Sequence, residues 1–312
     1  MCMDDRSNPT RILVTGGDGM LGKAFTEESV HFPQFELRSC SHRELDVRDA
    51  GAVDAWADWL EDGWIVHCAA LVDVEGCARE PEKARETIVD GTRNVTALAR
   101  KVGARIFYPQ SFLIYDGDDK PIPEECEPNP LHLYGQLKLE AEQLVLDADK
   151  ASLAVRMAGF FGGGEKDKNF VGRIIPAIEA AMLRGDKSFA VGDRVWQPTW
   201  TKDLAFNTLH LIAIGATGKF QMGSLGAASF ADIAKIIVDE LGWSNRIVIE
   251  HVSAAAIAGS ELGQRPNRAI LSCARLNRED ANLQRCWRAT LRCYLTDPYF
   301  DRFRLSGNMT LP

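Results

Sequence analysis

The 312-residue sequence contains no apolar run near the roughly 18 residues that a membrane-spanning helix requires, so a membrane is not expected as a partner. It also lacks a surplus of positive charge. Its 36 Lys and Arg against 44 Asp and Glu leave a net charge of −8, which argues against neutralising a nucleic-acid backbone or an anionic lipid surface. A local cationic patch could still hold a small phosphorylated ligand. The eight cysteines are scattered, with no Cys-x-x-Cys pair and no histidine at zinc spacing. They are therefore expected to be reduced thiols, several of them small core residues such as Cys68, and no metal is expected. Fixed-period repeats and low-complexity tracts are absent, which excludes solenoids and fibres. The opening residues, with Asp4, Asp5, Arg6 and Pro9, lack the apolar centre of a secretory signal, so the expected location is cytoplasmic.

What is present is an ordinary globular composition, 46% hydrophobic and 26% charged, in a chain long enough for one large domain or two modest ones. Short β-branched or apolar runs at 11–15, 35–40, 64–70, 105–108 and 152–156 predict buried strands. Helical spacing falls between them at 20–25, 52–60, 83–102 and 131–148. Such alternation predicts an α/β fold, a doubly wound parallel (Rossmann) sheet with helices on both faces. Beyond residue 156 the regularity weakens to a glycine loop at 162–164 and helices at 170–183, 230–241 and 279–303. The expected division is a dinucleotide-binding domain at 10–160, with core strands also from about 190–225, and a smaller mixed substrate-binding lobe at 161–312.

Glycines 16, 19 and 22 follow the first strand. This spacing allows a tight turn, close approach of backbone to a pyrophosphate, and packing of helix on strand. The second strand ends in Ser41-His42-Arg43, without the acidic residue that grips a ribose 2′-hydroxyl. Hydroxyl and guanidinium groups there suit a 2′-phosphate and favour NADP (NADPH) over NAD. Tyr134 and Lys138 are four apart on one helix face, so the ammonium is expected to approach the phenol and lower its pKa. Ser111 follows the fourth strand, where its hydroxyl could hold a substrate carbonyl.

With these residues the chain resembles the extended short-chain dehydrogenase/reductase superfamily, and within it the dTDP-4-dehydrorhamnose reductase branch. That branch also contains a regulatory relative, the β subunit of methionine adenosyltransferase. The likeness rests on ILVTGGDGMLG at the start, Leu45-Asp46-Val47, HCAALVDVEGCAREPE from His67, DGTRNV from Asp90, SFLIYDG from Ser111 and YGQLKLEAE from Tyr134. It continues in Asn169-Phe170, Pro198-Thr199, Asp203-Leu204 and Arg265-Pro266. The resemblance implies that Gly16, Gly19, Met20, Leu21 and Gly22 hold a pyrophosphate, Asp46 and Val47 an adenine, and Ala69 and Ala70 the chain between adenosine and nicotinamide. It makes Ser111, Tyr134 and Lys138 a catalytic triad, with Lys138 also on the nicotinamide ribose, and Asn169 a substrate residue. The chain departs from the branch where Thr-Asp-Tyr-Val-Phe becomes Ser111-Phe112-Leu113-Ile114-Tyr115, and where Arg-Thr-Ser-Trp becomes Arg156-Met157-Ala158-Gly159. Ile88 stands where the superfamily usually has asparagine.

Trp196, near Gln197 and Trp200, could stack on a base or sugar, and Arg265 could pair with a substrate phosphate. Glu124, Glu125 and Glu127 fall in a proline-rich loop and read as a solvated charge run; His67 lies in an apolar strand and reads as a core histidine. The resulting expectation is NADPH-dependent reduction of the 4-keto group of a nucleotide-activated 6-deoxysugar. A nucleotide-sugar epimerase or dehydratase, or a non-catalytic nucleotide-binding regulatory subunit, remain alternatives. The nucleotide-sugar is the expected partner, with a homodimer possible from base rates.

Overall fold

The computed structural model describes residues 8–257 and 264–307; Cys2 and the charged opening residues lie outside them. Six parallel strands form the central sheet: β1 (Thr10–Thr15), β2 (Phe35–Cys40), β3 (Trp64–His67), β4 (Arg105–Ser111), β5 (Leu153–Met157) and β6 (Gly218–Met222). Their spatial order is β6-β5-β4-β3-β1-β2. Thr10 aligns with Phe35 and Thr15 with Cys40, while Ile12 aligns with Trp64 on the other side of β1. The central strands are hydrophobic throughout because helices cover both faces. Ile12, Val14, Ile65, Val66, Phe107 and Val155 are all fully buried. The chain runs from β1 to β2 on one side and then crosses back to β3 on the other side of β1, so a crevice opens at the ends of β1 and β3, where the strand order reverses.

Around the sheet run α1 (Met20–Glu28), α2 (Val74–Arg79), α3 (Gly91–Val102) and α4 (Leu133–Ala148). Beyond it come α5 (Phe170–Arg184), α6 (Thr201–Ala213), α7 (Phe230–Glu240) and α8 (Trp287–Leu295). A second apolar core gathers α5, α7 and α8 around Ile178, Ile237, Trp243, Leu291 and Phe300. The Trp243 indole donates to the Phe303 carbonyl at 3.0 Å, which satisfies its one polar group. Helix α6 instead returns to the sheet and packs against α1, with Leu204, Leu209 and Leu211 in the first core. No helix among the described residues is long and apolar enough to cross a membrane.

Several elements differ from the sequence expectation. Strand β3 stops at His67, and residues 68–70 turn into the crevice instead of extending the strand to 70. The helix expected at 83–102 is interrupted by a π turn at Glu86–Asp90, a widened turn of the kind that recurs near functional sites. Residues 52–60 divide into Ala50–Asp54, capped by the Asp49 carboxylate, and Ala57–Leu60. The tail expected as one helix at 279–303 contains α8, a 3₁₀ turn at Pro298–Phe300 and Asp301–Gly307. Pro298 begins a new turn there, capped by Asp297.

Candidate active site

The turn between β1 and α1 leaves little freedom. Gly16 has φ +66°, and a Cβ there would stand 2.8 Å from the Ala69 nitrogen; one on Gly22 would stand 2.4 Å from the Gly16 carbonyl oxygen. A Cβ on Gly19 meets only Gly16 O, at 3.2 Å. Gly19 caps α1 with no side-chain bond, and the first turn carries no acid. The cradle is therefore shaped for an anion at a helix N-terminus, and its donor set fits a dinucleotide pyrophosphate. Gly16, Gly19, Met20, Leu21 and Gly22 all line a cleft of about 1080 Å³.

Buried side chains fix the adjacent wall. The Thr15 hydroxyl donates to His67 Nδ1 (2.9 Å), and His67 Nε2–H donates to Thr92 Oγ1 (3.1 Å). Thr92 in turn donates to the Ile88 carbonyl, and the Ala69 N–H donates to Thr15 Oγ1. Burial pushes the His67 pKa down to about 3, with the Lys138 charge adding to the effect. His67 is thus the neutral core histidine expected, and its chain of bonds fixes the turn carrying Ala69 and Ala70, both in the cleft. Cys68 differs from expectation: it is only partly covered and lines the cleft instead of sitting in the core.

Ser111 ends β4, while Tyr134 and Lys138 lie in the first turns of α4, and all three line the cleft. The helix begins where it does because His132 caps it, its Nδ1 accepting from the Gly135 N–H at 3.0 Å. The Ser111 hydroxyl accepts from the Leu113 N–H at 3.1 Å and stands near the Tyr134 phenol. Contrary to expectation, the phenol's pKa is raised: burial dominates, the nearby Cys77 adds to it, and the Ser111 hydroxyl opposes only in part. Lys138 does not turn its charge on the phenol. Its Nζ donates to the Pro109 carbonyl at 2.7 Å and lies 3.8 Å from the Tyr108 ring centroid. Burial pushes the Lys138 pKa down to about 7. The i,i+4 spacing fixed the helix face, and side-chain torsions then carried the long amine elsewhere.

At the ribose end, His42 and Val47 line the cleft, whereas Ser41, Arg43 and Asp46 do not. The Ser41 N–H and hydroxyl both donate to Glu44 Oε2 at 2.7 Å. Asp46 is engaged by Arg48, which holds its carboxyl down at about 2. Of the three residues expected at the substrate, Asn169, Trp196 and Arg265, all line the cleft. Asn169, however, donates to the Phe160 carbonyl at 2.8 Å and reaches the Met20 sulfur, which ties the lobe to the glycine turn. Arg265 meets Glu75 in a two-pronged pair at 2.7 and 2.8 Å. Trp196 stands edge-on to Phe112 and to Phe230, whereas Gln197 is buried and Trp200 joins the second core.

Sequence reasoning missed Tyr108 and Pro109, the partners of Lys138, and Phe112, Phe170, Phe230 and Glu75 in the cleft wall. Glu75 alone had a local signal, its position in the first turn of α2, the helix that follows β3. Glu124, expected in a solvated run, instead caps Ala274–Arg278 by accepting from the Arg275 N–H and the Ser272 hydroxyl. Among the described residues no group of three His, Cys, Asp or Glu stands together for a metal.

Comparison with known proteins places this geometry. The model of the family described as RmlD substrate binding domain matches residues 10–299. A dTDP-4-keto-6-deoxy-D-glucose reductase of Streptomyces niveus is 31% identical over 84% of this chain and 88% of its own. Methionine adenosyltransferase 2 subunit beta of Xenopus tropicalis is 32% identical over 67% of this chain, which spans 64% of that relative's length. The crystal structure of a dTDP-4-dehydrorhamnose reductase from Clostridium acetobutylicum superposes with a TM-score of 0.83, at 26% identity over 92% of this chain and 99% of that one.

Proposed function

Because the chain belongs to the RmlD substrate-binding-domain family, we propose that it is an NADPH-dependent reductase of the 4-keto group of a nucleotide-activated 6-deoxysugar. One observation carries this reading: the Tyr134 phenol and the Ser111 hydroxyl line the same cleft as the anion cradle at Gly16–Gly22. The cradle and the turn at Ala69 and Ala70 would hold the dinucleotide. When bound, a reduced nicotinamide supplies the hydride.

The Ser111 hydroxyl and Tyr134 phenol hydrogen-bond the ketone oxygen, and Tyr134 gives up its proton as charge develops there. Burial keeps that phenol protonated at every working pH, so the proton is available. Lys138, one helical turn along and bonded to the Pro109 carbonyl, would stabilise the phenolate left behind only by turning its amine from that carbonyl toward it. The balance is one hydride to carbon and one proton to oxygen, leaving an alcohol and oxidised cofactor. Preference for NADPH rests on His42, which lines the cleft, and on Arg43, exposed beside it. The Ser41 donors join them only when Glu44 releases them.

Exchanging Tyr134→Phe tests the reading. Turnover of dTDP-4-keto-6-deoxyglucose, followed by stoichiometric NADPH oxidation, should fall at least a hundredfold, while NADPH binding measured by fluorescence stays unchanged. Turnover equal to the wild type would remove the proton donor. Product formed without net NADPH consumption would instead indicate an epimerase.

A further inference from the structure

Helix α4 carries both Tyr134 and Lys138, and a histidine closes its first turn. His132 Nδ1 accepts from the Gly135 N–H at 3.0 Å, and the His132 carbonyl accepts from the Gln136 N–H at 3.2 Å. Tyr134 is enclosed between the two ends of this cap. The turn has no slack on its other side: a Cβ on Gly135 would stand 2.6 Å from the Leu113 carbonyl oxygen and 2.8 Å from Pro130 Cβ. Leu113 in turn donates its N–H to the Ser111 hydroxyl at 3.1 Å. One cap therefore seats the phenol and braces the segment that follows Ser111.

The tautomer of the cap follows from its partner. A backbone N–H can only donate, so Nδ1 presents its lone pair and the ring proton sits on Nε2. His132 is 8% exposed, and Nε2 has no hydrogen-bond partner. A buried donor left unpaired is costly, and an asparagine cap would satisfy the same N–H without that cost. What the imidazole adds is a proton site on the capping atom itself. Once protonated, Nδ1 can no longer accept, and the ring sets a positive charge at a helix N-terminus, where the backbone dipoles oppose it. No acid stands in the first turn to offset that charge.

The titratable groups set around the ring are Glu75 of α2, Arg265 and, on its own helix, the Tyr134 phenol, whose ring centroid lies 5.9 Å away. Cys77 of α2 lies near that phenol, and Glu75 is already engaged by Arg265. Burial pushes the His132 pKa below its ordinary 6.5; its own carbonyl and Glu75 oppose this, and the Arg265 charge adds to it. The ring is therefore neutral, and capping, at pH 7.

Resting on the reductase reading above, we propose that His132 is a positioning residue for proton transfer: its neutral Nδ1 holds the first turn of α4 closed so that Tyr134 meets the ketone oxygen, and a proton on that nitrogen releases the turn. The consequence is an acid limit on turnover that belongs to neither member of the Tyr134 and Lys138 pair. Burial keeps the phenol protonated, and acidification only completes the charge on Lys138, so neither removes activity on the acid side. Asp167, pushed up to about 6 by burial, titrates in the same range, so the test separates it from His132.

That test follows kcat and KM for dTDP-4-keto-6-deoxyglucose at saturating NADPH from pH 5 to pH 8. Wild-type kcat should fall on the acid side of pH 6.5, approaching a loss of about tenfold per pH unit. His132→Asn keeps an accepting oxygen that cannot titrate; its kcat at pH 7.5 should stay within about threefold of wild type and hold level to pH 5. His132→Ala, which lacks an acceptor, should lose about tenfold in kcat at every pH. Its KM and NADPH affinity should stay within about threefold, because His132 does not line the cleft. A second readout needs no turnover. Histidine ring-nitrogen NMR spectra, with the His132 signals assigned by their absence in His132→Asn, should show the Nε2–H form at pH 7.5 and a titration shared with the Tyr134 ring resonances. Wild-type kcat level to pH 5, an acid limb that persists in His132→Asn, wild-type kcat in His132→Ala, or the Nδ1–H form at pH 7.5 overturns the inference. If the tautomer and the shared titration are as stated and no ketosugar is reduced at any pH, the capping role stands and the reductase reading falls.

Discussion

Lys138 is an amine with 3% of its surface exposed. Its pKa in the fold, about 7, lies below its ordinary 10.5. Between those values the unfolded chain holds a proton that the folded chain sheds. The stability contribution of this group is complete above about pH 10.5 and is lost as pH falls through 7. Lys138→Met should therefore raise unfolding stability at pH 7 by on the order of 1–3 kcal/mol, partly offset by the lost bond to Pro109, while abolishing turnover. Denaturant midpoints at pH 7 and pH 9.5 check this, and the variant should show the weaker dependence on pH. At this scale the sequence identified Ser111, Tyr134 and Lys138 by type and spacing. It could not show that the amine faces Pro109 and Tyr108, because residues 29 or more positions away set that orientation.

Among the elements, β1 with its glycine turn and α1 shows the tightest link between sequence and geometry. A buried β-branched run, then glycines spaced by three, left the backbone few alternatives, and the strand and helix fall where expected. Gly22→Ala sets a methyl 2.4 Å from the Gly16 carbonyl oxygen, and the atoms it meets are backbone, which cannot swing aside. The expected outcome is a loss of about 1–3 kcal/mol in stability and at least a tenfold weaker NADPH affinity, measured by thermal unfolding and fluorescence titration. A variant that binds NADPH like the wild type would show that the cradle does not hold the pyrophosphate. Periodicity was a poorer guide in the helix expected at 83–102. Its apolar spacing runs unbroken through Glu86–Asp90, yet Gly91 packs against Val47 and the backbone widens into a π turn.

Across the whole molecule, the cleft joins the sheet to the lobe, and Glu75 with Arg265 bridges the two from positions 190 residues apart. The guanidinium holds the Glu75 carboxyl at about 2, below its ordinary 4.5, so the pair's contribution is complete above pH 4.5 and is lost as pH falls through 2. Both partners are mostly covered, at 15% and 20% side-chain exposure. Glu75→Gln should lower stability at pH 7 by about 1–2 kcal/mol and flatten its fall between pH 5 and pH 3, as read by urea unfolding. A slope equal to that of the wild type would show that the pair contributes nothing to acid stability.

By itself the sequence determined the alternating strands and helices, the glycine turn and the shared helix face of Tyr134 and Lys138, because each depends on backbone periodicity or on residues within a few positions of one another. Only the folded chain decided which side chains face one another across the cleft. The Phe112, Trp196 and Phe230 wall, the Glu75 and Arg265 bridge and the setting of Lys138 join segments tens to hundreds of residues apart. Their contacts arise from packing and desolvation, which act on distance in space and leave no spacing pattern along the chain.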